Sequence, residues 1–179
     1  MVKKSLVPLS MLLLVIAITI IVFLNRDRVS ELDNLGYLGA FLISLISNAS
    51  IVLPTPSLLL LFALGAAFNP ILVGVVGGVG GAIGELSGYI AGHSGRAIAR
   101  NDKWFNRAER WMRRRGTLTV FVFALLPILP FDAAGVAAGV VRFSIRKFLV
   151  ACFLGRTLLY IAMALFGAWG WEALLQYMD

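Results

Sequence analysis

The chain has 179 residues, of which 60% are hydrophobic and only 14% are charged, and its mean hydropathy is +0.90. Soluble domains carry about 25% charged residues, so this composition excludes a water-soluble protein and indicates an integral membrane protein. The net charge of +7 could suggest a nucleic-acid ligand, but the basic residues are concentrated in one loop, and we expect no nucleic-acid partner.

The first apolar run, residues 6–24, follows Lys3 and Lys4. It is too long for the apolar region of a signal peptide, and no small-residue cleavage site precedes the charged residues that end it. The sequence therefore predicts a retained helix, with residues 1–35 forming an N-terminal transmembrane helix and an external linker.

The later apolar segments differ in length. A bilayer core of about 30 Å needs about 20 helical residues, which residues 6–24, 71–92 and 148–170 supply, so three full crossings are predicted. Residues 37–53 are borderline at about 26 Å. Three segments beside prolines would reach only about 16–21 Å as helices, namely residues 57–68, 117–130 and 131–141.

Pairing each short segment with its neighbour predicts two re-entrant helical hairpins. The first turns at Pro54 and Pro56, and the second turns at Pro127 and Pro130. They enter from opposite sides, so their turns approach each other near the middle of the membrane. Irregular backbone is tolerated at that depth only inside protein or beside a water-filled cavity, so the four prolines are predicted to border a transport path.

An internal repeat relates the two hairpins. Pro56 precedes Gly65 by nine residues, as Pro130 precedes Gly139, and "GELSGYIA" aligns with "GRTLLYIA". Inverted repeats with proline-interrupted segments in matching positions indicate a transporter site. The predicted membrane domain is residues 36–170, divided into repeat one (36–92), a basic loop (93–116) and repeat two (117–170), with a short tail at 171–179.

Charged residues inside the apolar segments are candidates for the transport path. Glu85 and Arg156 hold equivalent positions in the repeats and could meet, either as a structural ion pair or in transport, because isolated charges there cost about 2.5–3.5 kcal/mol each. Asp132 follows the second turn, where it could cap the returning helix or handle a proton or a headgroup. The glycine stripe from Gly74 to Gly92 predicts packing against a hairpin and permits a homodimer.

The basic loop determines the predicted orientation. Residues 96–115 contain eight Lys/Arg against two acidic residues, which places this loop and the N-terminus in the cytoplasm and the C-terminus outside. The spacing of Trp104, Ala108, Trp111 and Met112 predicts an amphipathic helix on the membrane surface. That helix is either a topology anchor or a collector of anionic lipid headgroups, for which the candidates are Arg107, Arg110, Arg113, Arg114, Arg115, Trp104 and Trp111.

Two long segments carry a family resemblance: "LPTPSLLLLFALGAAFNPILVGVVGGVGGAIGELSGYIAGHSGR" (53–96) and "LLPILPFDAAGVAAGVVRFSIRKFLVACFLGR" (125–156). With the basic loop between them they resemble the DedA superfamily, also called the VTT-domain or SNARE-associated Golgi protein family. The resemblance covers residues 36–170. It implies opposed re-entrant hairpins and movement of phospholipids or polyprenyl-phosphate carriers between leaflets of the cell (inner) membrane, coupled to protons in some members.

The chain departs from the family pattern at two places. The polar residues around the first hairpin are Asn48, Ser50, Thr55 and Ser57, where many members have acidic residues. Ala124 stands where the family commonly has an arginine before the second hairpin. These departures favour passive or differently coupled lipid movement.

The leading interpretation is an all-α membrane protein that acts as a lipid flippase or scramblase, with membrane lipids as its partners. The alternatives are a small proton- or ion-coupled exporter and a non-catalytic membrane assembly factor. An enzyme is not expected, because the sequence has one histidine, at a predicted helix end, and no H-E-x-x-H motif. Neither a cofactor nor a metal is expected, since the single cysteine, Cys152, lies inside an apolar run.

Overall fold

The computed structural model describes residues 33–49, 57–94 and 103–178. For residues 33, 34, 104 and 171–178 it describes the backbone only. The described ranges form helices joined by short turns, as the predicted all-α fold requires. The helices are α1 (Asp33–Ala49), α2 (Ser57–Ala67), α3 (Pro70–Gly84), α4 (Leu86–His93), α5 (Lys103–Leu125), α6 (Phe131–Val140) and α7 (Ile145–Met178). Three predicted features lie outside the described residues: the first span at 6–24, and Pro54 and Pro56 of the first turn.

Two helical stretches are long and apolar enough to cross a membrane. They are Pro70–His93, which joins α3 and α4, and Ile145–Gly170 of α7, with 24 and 26 residues. At 1.5 Å per residue these reach about 36 and 39 Å, more than the bilayer core of about 30 Å. Asn69 starts the first stretch by accepting hydrogen bonds from the backbone N–H groups of Ile71 and Leu72.

The short helices lie where the proline spacing predicts them. Helices α2 and α6 have 11 and 10 residues, which gives each a length of about 15–17 Å, too short to cross a bilayer. Between α5 and α6, residues 126–130 form a turn that contains Pro127 and Pro130, and Ile128 at its tip is 88% exposed. The re-entry of these helices from opposite sides of a membrane stays a prediction.

The packing relates the two halves of the chain. Helix α3 runs antiparallel to α7, since Gly74 lies against Ile161 and Gly78 against Thr157. The first long stretch, α3/α4, packs against α1 of its own half and against α6 of the other half. The second long helix, α7, packs against α5 of its own half and against α2 of the other half. Each half therefore packs one short helix, α2 or α6, on the long helix of the other half, which is the arrangement expected for two repeats related by two-fold symmetry.

Two close contacts between the halves fall at repeat-equivalent glycines. Gly65 of α2 lies against the backbone of Ala164, and Gly139 of α6 lies against the backbone of Tyr89 and His93. Ala164 and His93 each come four residues after the tyrosine of a Tyr-Ile-Ala sequence. A side chain at either glycine would overlap backbone atoms, so both positions require glycine for the helices to approach.

The glycine stripe of α3 and α4 packs in part as predicted. Gly88 and Gly92 lie against α6, and Gly84 lies against the backbone of α1, so helices of both predicted hairpins meet the stripe. Gly74 and Gly78 contact the long helix α7, and Gly80 contacts α1 at the carbonyl of Phe41. Glycines occur on several faces of the helix because α3 has close neighbours on more than one side.

The basic helix is kinked, and part of its apolar face is buried. Helix α5 is kinked at Arg115, whose φ of −143° and ψ of 60° are not helical. The part before the kink buries Phe105, Ala108 and Met112 in the core of the protein, at 8%, 0% and 3% exposure. Trp111, at the edge of this buried face, is 44% exposed. The buried part of the apolar face therefore packs on protein, where α5 folds against α6 and α7. The position of this helix on the membrane surface stays a prediction.

Candidate functional site

The junction of α3 and α4 places a carboxylate in the interior. Glu85 lies between the two helices with near-helical backbone angles (φ −65°, ψ −14°), and its N–H still donates to the Gly81 carbonyl at 3.0 Å. The helix therefore continues through the junction with little change of direction. Glu85 is 3% exposed, so its charge needs a partner within the protein.

Arg156 of α7 supplies that partner. Its Nη2 donates to Oε1 of Glu85, and the two side chains are 13% and 4% exposed. The structure thus brings together the two charged residues that the repeat predicts to be equivalent. A buried, hydrogen-bonded ion pair lets both charges exist at a depth where either one alone would be costly.

The second turn contributes an aromatic ring to the same site. Phe131, the first residue of α6, lies with its ring centroid 5.0 Å from the guanidinium carbon of Arg156, which is a cation–π contact. The Nε atom of Arg156 is buried and has no hydrogen-bond partner among the described residues. Arg156 therefore keeps a donor that a ligand with acceptor oxygens could use.

Asp132 lies beside Phe131 in the first turn of α6 and is partly buried. The N-cap of α6 is Pro130, so Asp132 is not the capping residue that the sequence suggested as one possibility. Its position in the first turn still stabilises the carboxylate through the helix dipole. Its chain neighbour Phe131 contacts Arg156, so a second carboxylate lies near the ion pair.

Sequence reasoning missed a polar contact on the other side of Arg156. Nδ2 of Asn48 donates to the hydroxyl oxygen of Tyr160 at 2.9 Å and to the carbonyl of Ser44 at 2.6 Å. Tyr160 is 1% exposed and lies one helical turn from Arg156, with Gly77 and Gly81 making room for its ring. The tyrosine of the repeated Tyr-Ile-Ala sequence was the signal that could have indicated it.

The Tyr160→Phe variant tests this contact. We expect a loss of about 0.5–1.5 kcal/mol in unfolding free energy, because Asn48 loses one hydrogen bond but keeps the one to Ser44. Thermal unfolding of the purified protein measures it. Tyr37→Phe is the control, since no hydrogen bond of its hydroxyl is found among the described residues. Equal losses in both variants would contradict a specific role for the Asn48 contact.

The basic residues predicted to meet lipid lie apart from this interior site, along α5. Arg107 and Arg110 border one surface pocket with Lys103. Arg113 pairs with Glu109 at 2.9 Å on the exposed face. Arg114, Arg115 and Trp111 border a second pocket at the kink. The side chain of Trp104 lies outside the described residues. Within the ranges that the structure describes, no group of three or more His, Cys, Asp or Glu side chains is placed to hold a metal ion.

Comparison with known proteins adds one finding. The family model described as "VTT domain" matches residues 55–169, which include α2 to α6 and most of α7. No curated protein and no solved structure matches the chain.

Proposed function

The chain belongs to the VTT-domain family, that of the DedA and SNARE-associated Golgi proteins, and is a membrane protein; from this premise we propose that it moves lipids with phosphate-bearing headgroups between the two leaflets. The acyl chains would stay in the bilayer while the headgroup crosses beside Glu85 and Arg156. The proposal extends to phospholipids and polyprenyl phosphates.

The observation that carries the proposal is the buried ion pair beside the second turn. A guanidinium group binds phosphate oxygens through several N–H donors at once, and Arg156 has a buried donor with no partner among the described residues. A lipid phosphate could therefore replace the carboxylate of Glu85 on Arg156. Glu85 would then be left buried without its partner, so it competes with the phosphate for Arg156, and the ion pair forms again when the phosphate leaves.

Asp132 favours release in this scheme. A phosphate on Arg156 would bring further negative charge next to Glu85 and Asp132, and the repulsion would oppose long occupancy. Weak binding at an interior site suits passage, because a headgroup held tightly would not leave.

The proposed setting follows the orientation expected from the basic residues. The N-terminus and the basic loop would face the cytoplasm, the C-terminus would lie outside, and the hairpins would enter the inner membrane from opposite faces. Ala124 and the uncharged residues near the first turn favour a scramblase or a flippase that does not use the family's usual proton-coupling residues. Lipids are the only partners that the proposal requires.

Reconstitution into liposomes tests the function. We expect the wild type to move labelled phospholipid or undecaprenyl phosphate between leaflets faster than in protein-free vesicles, and Asp132→Asn to lower the rate about tenfold. Loss of the Asp132 repulsion would stabilise the bound phosphate by about 1.4 kcal/mol and slow its release. Glu109→Gln is the matched control, because it neutralises a carboxylate on the exposed face of α5.

The same vesicles separate the alternatives. Exchange no faster than in empty vesicles, or equal slowing by Asp132→Asn and Glu109→Gln, would contradict the proposal. Ion flux without lipid movement, lost on Glu85→Gln, would instead support a small coupled exporter.

A further inference from the structure

A surface groove at the kink of α5 has two chemically different ends. Its lining residues are Trp111, Arg114, Arg115, Leu118, Thr119 and Val122, which we call the kink groove. Its volume is about 440 Å³, within the range of about 300–1,000 Å³ that small-molecule sites occupy. The six residues come from both sides of the kink at Arg115, so the groove follows the bend in α5.

The basic end of the groove has two arginines that pair with no acidic side chain in the described part of the chain. Arg114 and Arg115 are exposed, and neither forms an ion pair within the described ranges. Their neighbour Arg113 differs, because Glu109 pairs with it. The hydroxyl of Thr119 donates to the Arg115 carbonyl at 3.0 Å, so a hydrogen bond joins the non-helical residue to the helical turn after it. Two neighbouring guanidinium groups with no counter-ion among the described residues are suited to a phosphate group.

The other end of the groove is apolar. Leu118 is 49% exposed and Val122 is partly buried. The distance along the helix from Arg115 to Val122 is about 10 Å, since seven residues rise 1.5 Å each. Trp111 is at the basic end and is 44% exposed, and tryptophan is the residue that membrane interfaces favour. The groove thus has basic side chains at one end and an apolar surface at the other. A phospholipid has the same sequence of groups, since its charged phosphate is followed by its acyl chains.

We propose that the kink groove binds one anionic phospholipid, with its phosphate between Arg114 and Arg115 and an acyl chain along Leu118 and Val122. The selectivity would come from the headgroup, because an acyl chain is equally apolar in the bilayer and in the groove. On the proposed orientation the lipid belongs to the cytoplasmic leaflet. Occupancy of the groove stands independently of transport, whereas a role in loading lipid toward Arg156 rests on the proposed function.

Native mass spectrometry of the full chain in detergent tests occupancy, with phosphatidylglycerol as the probe and phosphatidylcholine of the same acyl chains as the comparison. We expect one tightly bound phosphatidylglycerol per chain and weaker phosphatidylcholine binding. The double variant Arg114→Gln/Arg115→Gln should bind phosphatidylglycerol about 30-fold more weakly, which corresponds to about 1 kcal/mol per arginine.

A matched control removes the same charge from basic residues outside the groove. Lys103→Gln/Lys147→Gln should leave the affinity within about threefold of the wild type, because both side chains are exposed and neither lines the groove. Equal weakening by both double variants would show general surface attraction and overturn the site. The absence of a retained lipid on the wild type would also overturn it.

A second variant tests the apolar end. Val122→Trp should fill the space for the acyl chain and weaken phosphatidylglycerol binding about tenfold. If it has no effect while inorganic phosphate displaces the lipid completely, the groove binds a phosphate group alone, and the lipid proposal is wrong.

Transport measurements on the same samples keep the two proposals separate. Lipid bound in the groove without leaflet exchange would contradict the proposed function and leave the groove supported. Rapid exchange by the wild type with no lipid retained in the groove would contradict the groove proposal and support the proposed function.

Discussion

Arg156→Ala should abolish leaflet exchange and lower the free energy of unfolding by about 3–5 kcal/mol, because it leaves Glu85 as a buried carboxylate without its ion-pair partner. The same substitution removes the guanidinium group that the proposed mechanism uses to bind the phosphate. Thermal unfolding and the liposome exchange assay measure the two effects separately. A variant that fails to fold would explain loss of exchange trivially, so a second variant is needed.

Glu85→Leu/Arg156→Met provides it. Replacing both members of a buried ion pair by well-packed hydrophobic side chains of similar volume is often neutral or stabilising, so the free energy of unfolding of this variant should lie within about 1–2 kcal/mol of the wild type. It should nevertheless exchange lipid no faster than empty vesicles, since methionine cannot bind phosphate. Exchange at the wild-type rate by this folded variant would contradict the role proposed for the ion pair and leave it a structural contact.

Gly65→Ala and Gly139→Ala should each destabilise the protein by about 3 kcal/mol or more, at the upper end of overpacking effects. The added methyl groups would meet backbone atoms of Ala164 or of Tyr89 and His93, which cannot rotate away as side chains can. Such a loss corresponds to a fall in Tm of about 6–12 °C for a chain of this length. Thermal unfolding in detergent measures it.

Gly39→Ala is the matched control for the glycine variants. A Cβ atom there would meet nothing within 4 Å among the described residues, and alanine is favoured over glycine in a helix by about 0.5–1 kcal/mol. We therefore expect an unchanged or slightly higher Tm. If Gly39→Ala lowered the Tm as much as Gly65→Ala, helix approach would not be the reason these glycines matter.

The composition and the lengths of the apolar segments were sufficient to predict several elements. The stretches Pro70–His93 and Ile145–Gly170, the short helices α2 and α6 and the turn at Pro127 all agree with the sequence-based expectation. Each depends on information carried locally: a helix extends as far as its apolar run and ends at residues that cannot continue it. The family was recognised from its motifs for the same reason.

Only some contacts of the interior site could be predicted from the sequence. The repeat placed Glu85 and Arg156 at equivalent positions, and the cost of isolated charges in a membrane argued for pairing. No local signal in the sequence predicted that the Phe131 ring covers Arg156. None predicted that Asn48 forms a hydrogen bond with Tyr160, which is 112 residues away in sequence. These contacts depend on how each helix is rotated and where it crosses its neighbours.

The basic helix separates the two kinds of information most clearly. The sequence by itself determined that this segment is an amphipathic helix with a basic surface, because a period of 3.6 residues is a local property. Only the tertiary structure decided that Phe105, Ala108 and Met112 face the protein while Trp111 stays partly exposed, and that Arg115 interrupts the helix. Each residue turns a helix by about 100°, so the choice between neighbouring apolar stripes depends on which surface packs best against α6 and α7. That choice is settled by long-range packing, which no segment of the sequence specifies alone.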